Sequence, residues 1–275
     1  MIFTTNAEKG AVADKSKKET TKKQTLRRRL IGAAAILFWL AVWQVVSMAI
    51  GNDILLVSPI AVIKRLFELV TAAAFWRSAG TSLLRILLGY FFGVILGTIL
   101  AIGSSACELF NRLTSPLNTV IRATPVSSFI ILALVWLKSG RVPSFIAFLM
   151  VTPIVWNQLK AGLKNANGEL LEMTKCYKLS PFQSIRYFWL PTVMPQLISA
   201  LTTSLGFAWK AGIAAEVLCT PRNSIGKEIY ESKLYLETPD LFAWTIVVVI
   251  FSLIIEKLLK LALGRASRNM QEVEK

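Results

Sequence analysis

The chain has no histidine among its 275 residues. That absence removes the Ser-His-Asp arrangement for nucleophilic catalysis, imidazole metal ligands, and the side chain that most readily changes charge near neutral pH. Cysteine is scarce as well. Cys107, Cys176 and Cys219 are widely spaced, a pattern that fits neither a zinc site nor a disulfide framework. Acidic residues number 16 against 31 Lys and Arg. No G-x-x-x-x-G-K-[ST] phosphate loop occurs: GRVPS and Ser224-Ile225-Gly226-Lys227 both lack the glycines whose amides would cradle a triphosphate. The residues therefore offer no paired-acid or nucleophile constellation, no metal site and no bound cofactor.

Apolar sequence is abundant instead. The chain is 54% hydrophobic and 17% charged, with a mean hydropathy of +0.56, and its apolar residues come in long blocks. This pattern predicts an all-α polytopic membrane protein. A formal charge of +15 would suggest nucleic acid in a soluble chain. Here the basic residues flank apolar blocks, where they set topology, so no nucleic-acid partner is expected.

Six spans are expected. The first, Ile31 to Ile50, is an uncharged run long enough for about 30 Å of helix. The second centres on Ile86 to Ile102, and the third on Leu117 to Leu137 with Arg122 near its start. Val142 to Leu159 forms the fourth. The fifth runs from Phe188 through Trp209 to about Val217, and the sixth from Leu241 past Glu256. An even number puts both termini on one side. The segments on that side hold 21 Lys and Arg, against eight in the segments on the other, which places both termini in the cytoplasm. The organisation is then a basic cytoplasmic tail (1–30), a six-span domain (31–262) and a cytoplasmic C-terminal tail (263–275). The N-terminal tail lacks the apolar region and small-residue cleavage site of a signal peptide and is expected to be retained. Arg85 and Lys210 are left within or near spans.

Between spans four and five lies ELLEMTKCYKLSPFQSIRYFWLPTVMPQL, residues 169–197. Glu172 to Lys178 favours helix, Ser180-Pro181 is a cap-and-first-turn pair, and Phe182, Ile185 and Phe188 recur at three-residue spacing. Two readings are open: an interfacial helix that binds nothing, or a docking surface. The length favours docking, because an antiparallel helix pair needs a far shorter connection.

At these residues the chain resembles the permease subunits of ABC importers, specifically the nitrate, sulfonate and taurine group of binding-protein-dependent transporters. Members carry a cytoplasmic loop with a Glu-Ala-Ala pattern, a glycine and a later Leu-Pro. Here Glu172 matches the glutamate, Met173 and Thr174 stand at the alanine positions, Lys178 replaces the glycine, and Leu190-Pro191 matches the Leu-Pro. LLVSPIAVIKRLFELV, TSLLRILLGYFFGVILG, IRATP and AWKAGIAAEVL are similar to further family segments in the same order, so the resemblance covers roughly residues 55 to 265. It implies a transport subunit that is not itself an enzyme and sits in the prokaryotic plasma membrane. Its coupling helices would dock on a separate cytoplasmic ATPase, which binds the ATP and Mg. The further partners implied are a second permease copy, a second ATPase subunit, an external substrate-binding protein and a small, anionic or sulfonate-like solute. A stand-alone secondary transporter and a non-transport membrane scaffold are the alternatives.

Three further features carry expectations. Gly89, Gly93 and Gly97 fall four apart and make a smooth stripe, either a packing face within one subunit or a contact between copies. Pro125 and Pro195 are kink positions, marking helix ends or a gated path. Lys210 must pair, snorkel or face a polar cavity, because an ammonium in lipid is costly. Glu216, six residues on, is a candidate partner at imperfect helical spacing, and both are candidates for the translocation path.

Overall fold

A computed structural model describes residues 30–273, apart from 33, 53, 167, 169–171, 173, 175 and 178. Most of the basic N-terminal tail, and Met173 and Lys178 of the expected coupling loop, lie outside the described residues. Among those described, every regular element is helical. The chain divides into two compact units, Met1–Lys64 and Arg65–Lys275.

In the first unit, α1 (Leu30–Ile50) is the expected first apolar helix. The Ser47 hydroxyl donates to the Leu56 carbonyl at 3.0 Å, fixing the turn beyond it. Helix α2 (Pro59–Thr71) begins in this unit with Ser58 at its cap and Pro59 in its first turn. The Ser58 hydroxyl accepts the Ala61 N–H at 3.3 Å, satisfying one of the free amides at the helix start.

The second unit contains α3 (Ala73–Ala106), α4 (Glu108–Ala123), α5 (Val126–Trp136), α6 (Val142–Lys164), α7 (Leu190–Cys219), α8 (Ile225–Leu234) and α9 (Thr238–Val273). Its core is α6 held between α3 and α7. On α3 the buried residues Ser82, Ile86, Gly89, Gly93, Gly97, Ala101 and Ser104 recur every three or four positions and so form one stripe. The glycines of that stripe let the α3 and α6 backbones touch. A Cβ at Gly89 would strike the Ser144 carbonyl. One at Gly93 would lie 2.7 Å from Val151 Cβ, and one at Gly97 would lie 2.8 Å from the Thr152 carbonyl oxygen. The row is therefore a packing face within the chain. Such closeness matters in lipid, where apolar side chains gain nothing by leaving hydrocarbon and helices associate through van der Waals contact. Indole groups tie the bundle further. Trp156 Nε1 donates to Ser104 Oγ at 2.7 Å, and Trp209 Nε1 donates to the Val248 carbonyl at 3.0 Å. Phe75 stacks on Trp244 at 5.1 Å.

Two expected spans differ in form. The third, 117–137, is not one helix but the pair α4 and α5, bent by 105°. Pro125 has no amide to donate and restricts Thr124 to extended backbone (φ −81, ψ 132), so the α-helical ladder ends there. Polar seams then hold α4 against α6. Asn118 Nδ2 donates to Asn157 Oδ1 at 2.8 Å, the reciprocal bond measures 3.3 Å, and Lys160 Nζ donates to Asn111 Oδ1. The fifth begins earlier than expected, at Pro181 instead of Phe188. Gln183 N–H donates to Ser180 Oγ at 3.3 Å while Ser180 N–H donates to Gln183 Oε1 at 2.9 Å, a reciprocal cap that starts the helix. A short turn (Pro181–Ser184) and a π-helical turn (Ile185–Trp189) lead into α7. The wide turn, closed by the Leu190 N–H on the Ile185 carbonyl, gives room to the Pro191 ring, which would crowd the carbonyl four residues back. Helix α7 runs unbroken through Pro195.

Among the described residues, Leu30–Ile50, Ala73–Ala106, Val142–Lys164 and Phe182–Cys219 are long and apolar enough to cross a membrane, and the bent pair brings the number to as many as five. Helix α9 contains the uncharged run 241–255.

Candidate functional site

The two most polar connections lie at opposite ends of α7, whose 30 residues span about 45 Å. At its N-terminal end, α6 stops at Lys164, with the Asn165 N–H closing on the Ala161 carbonyl. Glu172, Thr174 and Cys176 are helical, and the Leu179 N–H reaches the Thr174 carbonyl at 3.2 Å. Glu172 is exposed and Thr174 half-buried. Leu190 is exposed and Pro191 half-buried where the segment enters α7. Tyr177 and Phe182 are more than two-thirds exposed, and Ile185 and Tyr187 are exposed beside them, whereas Phe188 is buried. The three-residue apolar spacing thus does not bury one face: Phe182 and Ile185 point away from the bundle and Phe188 into it.

At the other end, Glu216 has no exposed surface. A carboxylate in that position needs internal donors. Ser82 Oγ donates to Oε2 at 2.6 Å and the Gly226 N–H donates to the same oxygen at 3.2 Å. Ser82 Oγ also accepts the Ile225 N–H at 2.9 Å. The carboxylate therefore sits at the N-terminus of α8, where free amides and the helix dipole favour negative charge. Ser224 completes that start, accepting the Lys227 N–H at 3.2 Å and donating to the Pro221 carbonyl at 2.9 Å. Only glycine fits at 226, since a Cβ there would overlap Glu216 Cβ and lie 2.5 Å from the Val217 nitrogen.

The second oxygen, Oε1, has no hydrogen-bond partner. Arg85 Nη1 stands 3.8 Å from it, while the same guanidinium donates to the carbonyls of Arg222 at 3.1 Å and Asn223 at 3.5 Å. Thr220 (φ 42) and Asn223 (φ 50) hold left-handed backbone, a costly conformation for a β-branched residue such as Thr220. Two more links bind this end. Ser78 Oγ donates to Glu228 Oε1 at 3.1 Å. Arg65 forks onto both Asp240 oxygens and onto Glu68, and the bond to Asp240, then that to Glu68, holds the guanidinium above its usual pKa.

Sequence reasoning named Glu216 but not its partners. Lys210 is exposed on α7 and, among the described residues, makes no ion pair, so Glu216 and Lys210 are not brought together. Arg85 was visible as a charge in a span. Ser82 and Gly226 gave no such signal, because their roles depend on which helices meet.

Comparison with known proteins places this chain in a family of transport components. The family model described as "Binding-protein-dependent transport system inner membrane component" matches residues 89–270. The taurine transport system permease protein of Escherichia coli is 23% identical over 82% of this chain and 84% of its own length. A putative aliphatic sulfonates transport permease protein of Bacillus subtilis is 22% identical over 93% of this chain and 94% of its own. The nitrate import permease protein of Leptolyngbya laminosa is 26% identical over 71% and 72%. In fold, the chain is similar to a chain of the MetNI methionine ABC transporter solved in inward-facing conformations, with a TM-score of 0.59 and 16% identity over 72% of this chain and 96% of that one.

Proposed function

We propose, from the premise that this chain belongs to the family of binding-protein-dependent transport system inner membrane components, a specific assignment of its two polar ends. The chain is the permease subunit of an ABC importer, a multi-pass protein of the cell membrane. The finer reading has six spans with both termini in the cytoplasm. It is supported by the 21-to-eight charge asymmetry and by the uncharged run 241–255 in α9 as the last span. The 165–190 connection then faces the cytoplasm and the Glu216 cluster faces outward.

Exposure of Glu172 with Tyr177, Phe182 and Ile185 on one connection is the observation that carries the coupling role. A large apolar and aromatic surface rimmed by charge fits a protein partner better than water. Two separate ATPase subunits dock there, one on each of two permease copies. Their closure on ATP, bound with Mg on the ATPase, reaches the spans through the continuous helical run from Pro181 into α7. An external binding protein delivers the solute to the opposite end, and alternating access moves it inward. The solute is small and anionic or sulfonate-like, in that it carries an oxyanion group, the feature common to taurine, aliphatic sulfonates and nitrate in the relatives' names.

Glu172→Lys tests the docking role, because it reverses an exposed charge that no span depends on. Association with the ATPase is expected to fall at least about tenfold, the effect of removing roughly 1.4 kcal/mol, with the bundle still monodisperse. Unchanged association and unchanged transport contradict the assignment.

A further inference from the structure

The Glu216 cluster is more than a buried charge that has been neutralised. Its carboxylate divides its work: Oε2 is fully engaged by Ser82 and the start of α8, while Oε1 is buried with no hydrogen bond and faces a guanidinium 3.8 Å away. That guanidinium is committed elsewhere, to the carbonyls of Arg222 and Asn223. Those carbonyls belong to a turn whose Thr220 and Asn223 are in left-handed backbone. Arg85 thus stands between two acceptors, the orphan oxygen on α7 and the strained turn leading to α8.

We propose that Arg85 and Glu216 are positioning residues for the outer turn 220–227, with Arg85 dividing its hydrogen bonds between that turn and Glu216 Oε1 as the transporter changes state. This rests on the importer reading above and adds to it the element at the outer end that responds to the ATPase. In the arrangement seen here Arg85 holds the turn. Closing the gap to Oε1 satisfies the orphan oxygen and draws Nη1 off the Asn223 carbonyl, its acceptor at 3.5 Å, while Nη2 keeps the Arg222 carbonyl, so each state leaves a different group under-bonded. Ser82, Gly226 and Ser224 keep α8 seated throughout, because their bonds use Oε2 and the α8 start and do not involve Arg85. The movement is confined to residues 220–223, which enter α8 through backbone strain already stored in the turn.

The test is hydrogen–deuterium exchange of the 220–231 segment in the full chain, purified with its ATPase and embedded in lipid, without nucleotide and trapped with ATP and vanadate. Wild-type amides of 222 and 223 are expected to differ between the two states by at least about fivefold, the lower edge of typical coupling between distant sites, with Gly226 protected in both. Arg85→Gln is expected to exchange rapidly in both states, and Arg85→Lys, which keeps the charge without the fork, to recover part of the difference. Equal exchange in both wild-type states makes the cluster purely structural and overturns the inference. So does a state difference that survives Arg85→Gln. If no ATPase accompanies the wild-type chain, the importer reading itself fails and this inference fails with it, an outcome distinct from the other two.

Discussion

A carboxylate without exposed surface is stable only if donors and counter-charge are fixed around it: Glu216 accepts from a hydroxyl on α3 and an amide at the start of α8, and it faces a guanidinium one turn from that hydroxyl. Removing it leaves Arg85 without its counter-charge and buries two donors unpaired. Glu216→Ala is accordingly expected to cost roughly 3–5 kcal/mol, whereas Glu216→Gln keeps an oxygen for Ser82 and Gly226 and costs clearly less. Thermal unfolding of the two variants in mild detergent checks the order, and equal loss in both would contradict the division of roles between Oε1 and Oε2. The sequence singled out Glu216 only as a candidate partner for Lys210, six residues away on the same helix at imperfect spacing. Helical spacing sees only neighbours along one element, whereas Arg85 and Ser82 come from α3, 131 and 134 positions away, and the Gly226 amide comes from α8.

Elements explain which parts of the fold were legible. The glycine row on α3 could be read directly, because small residues four apart share a face whatever surrounds them. Only the α6 backbone decided that the face serves the chain itself. Gly89→Ala, which drives a Cβ into the Ser144 carbonyl, is expected to destabilise by roughly 1–3 kcal/mol. Gly80→Ala on the same helix meets nothing within 4 Å and should be neutral or stabilise by up to about 1 kcal/mol through reduced unfolded-state entropy. Denaturation of the pair in the same detergent separates a packing stripe from a general intolerance of side chains on α3. The bend between α4 and α5 was less legible. Pro125 marks a kink position in the sequence, but the size of the bend, 105°, depends on Asn118, Asn157 and Lys160 holding α4 on α6. The early start at Pro181 was half legible: Ser180-Pro181 announced a helix, and the π turn that fuses it to α7 follows from Pro191.

At the scale of the whole molecule the family and the multi-pass character were readable from blocks of apolar residues and the order of segments, and the sidedness rests on charge. The chain's own cysteines test that sidedness. Cys107 and Cys176 are exposed, the first directly after α3 and the second in the connection between α6 and α7, both of which the proposed topology puts in the cytoplasm, and Cys219 is buried. A membrane-impermeant maleimide is expected to leave all three unlabelled in intact cells and to label Cys107 and Cys176 in inside-out vesicles. Labelling of Cys107 or Cys176 from outside would reverse the orientation and, with it, the assignment of the two polar ends.

Quantitative mass spectrometry of the proteins that accompany this chain from its native membrane in mild detergent tests the central claim most directly. An importer permease is expected to bring a cytoplasmic ATPase in near-equimolar amount, together with an external solute-binding protein. A monodisperse membrane protein accompanied by neither would contradict the account and point to a stand-alone transporter or scaffold.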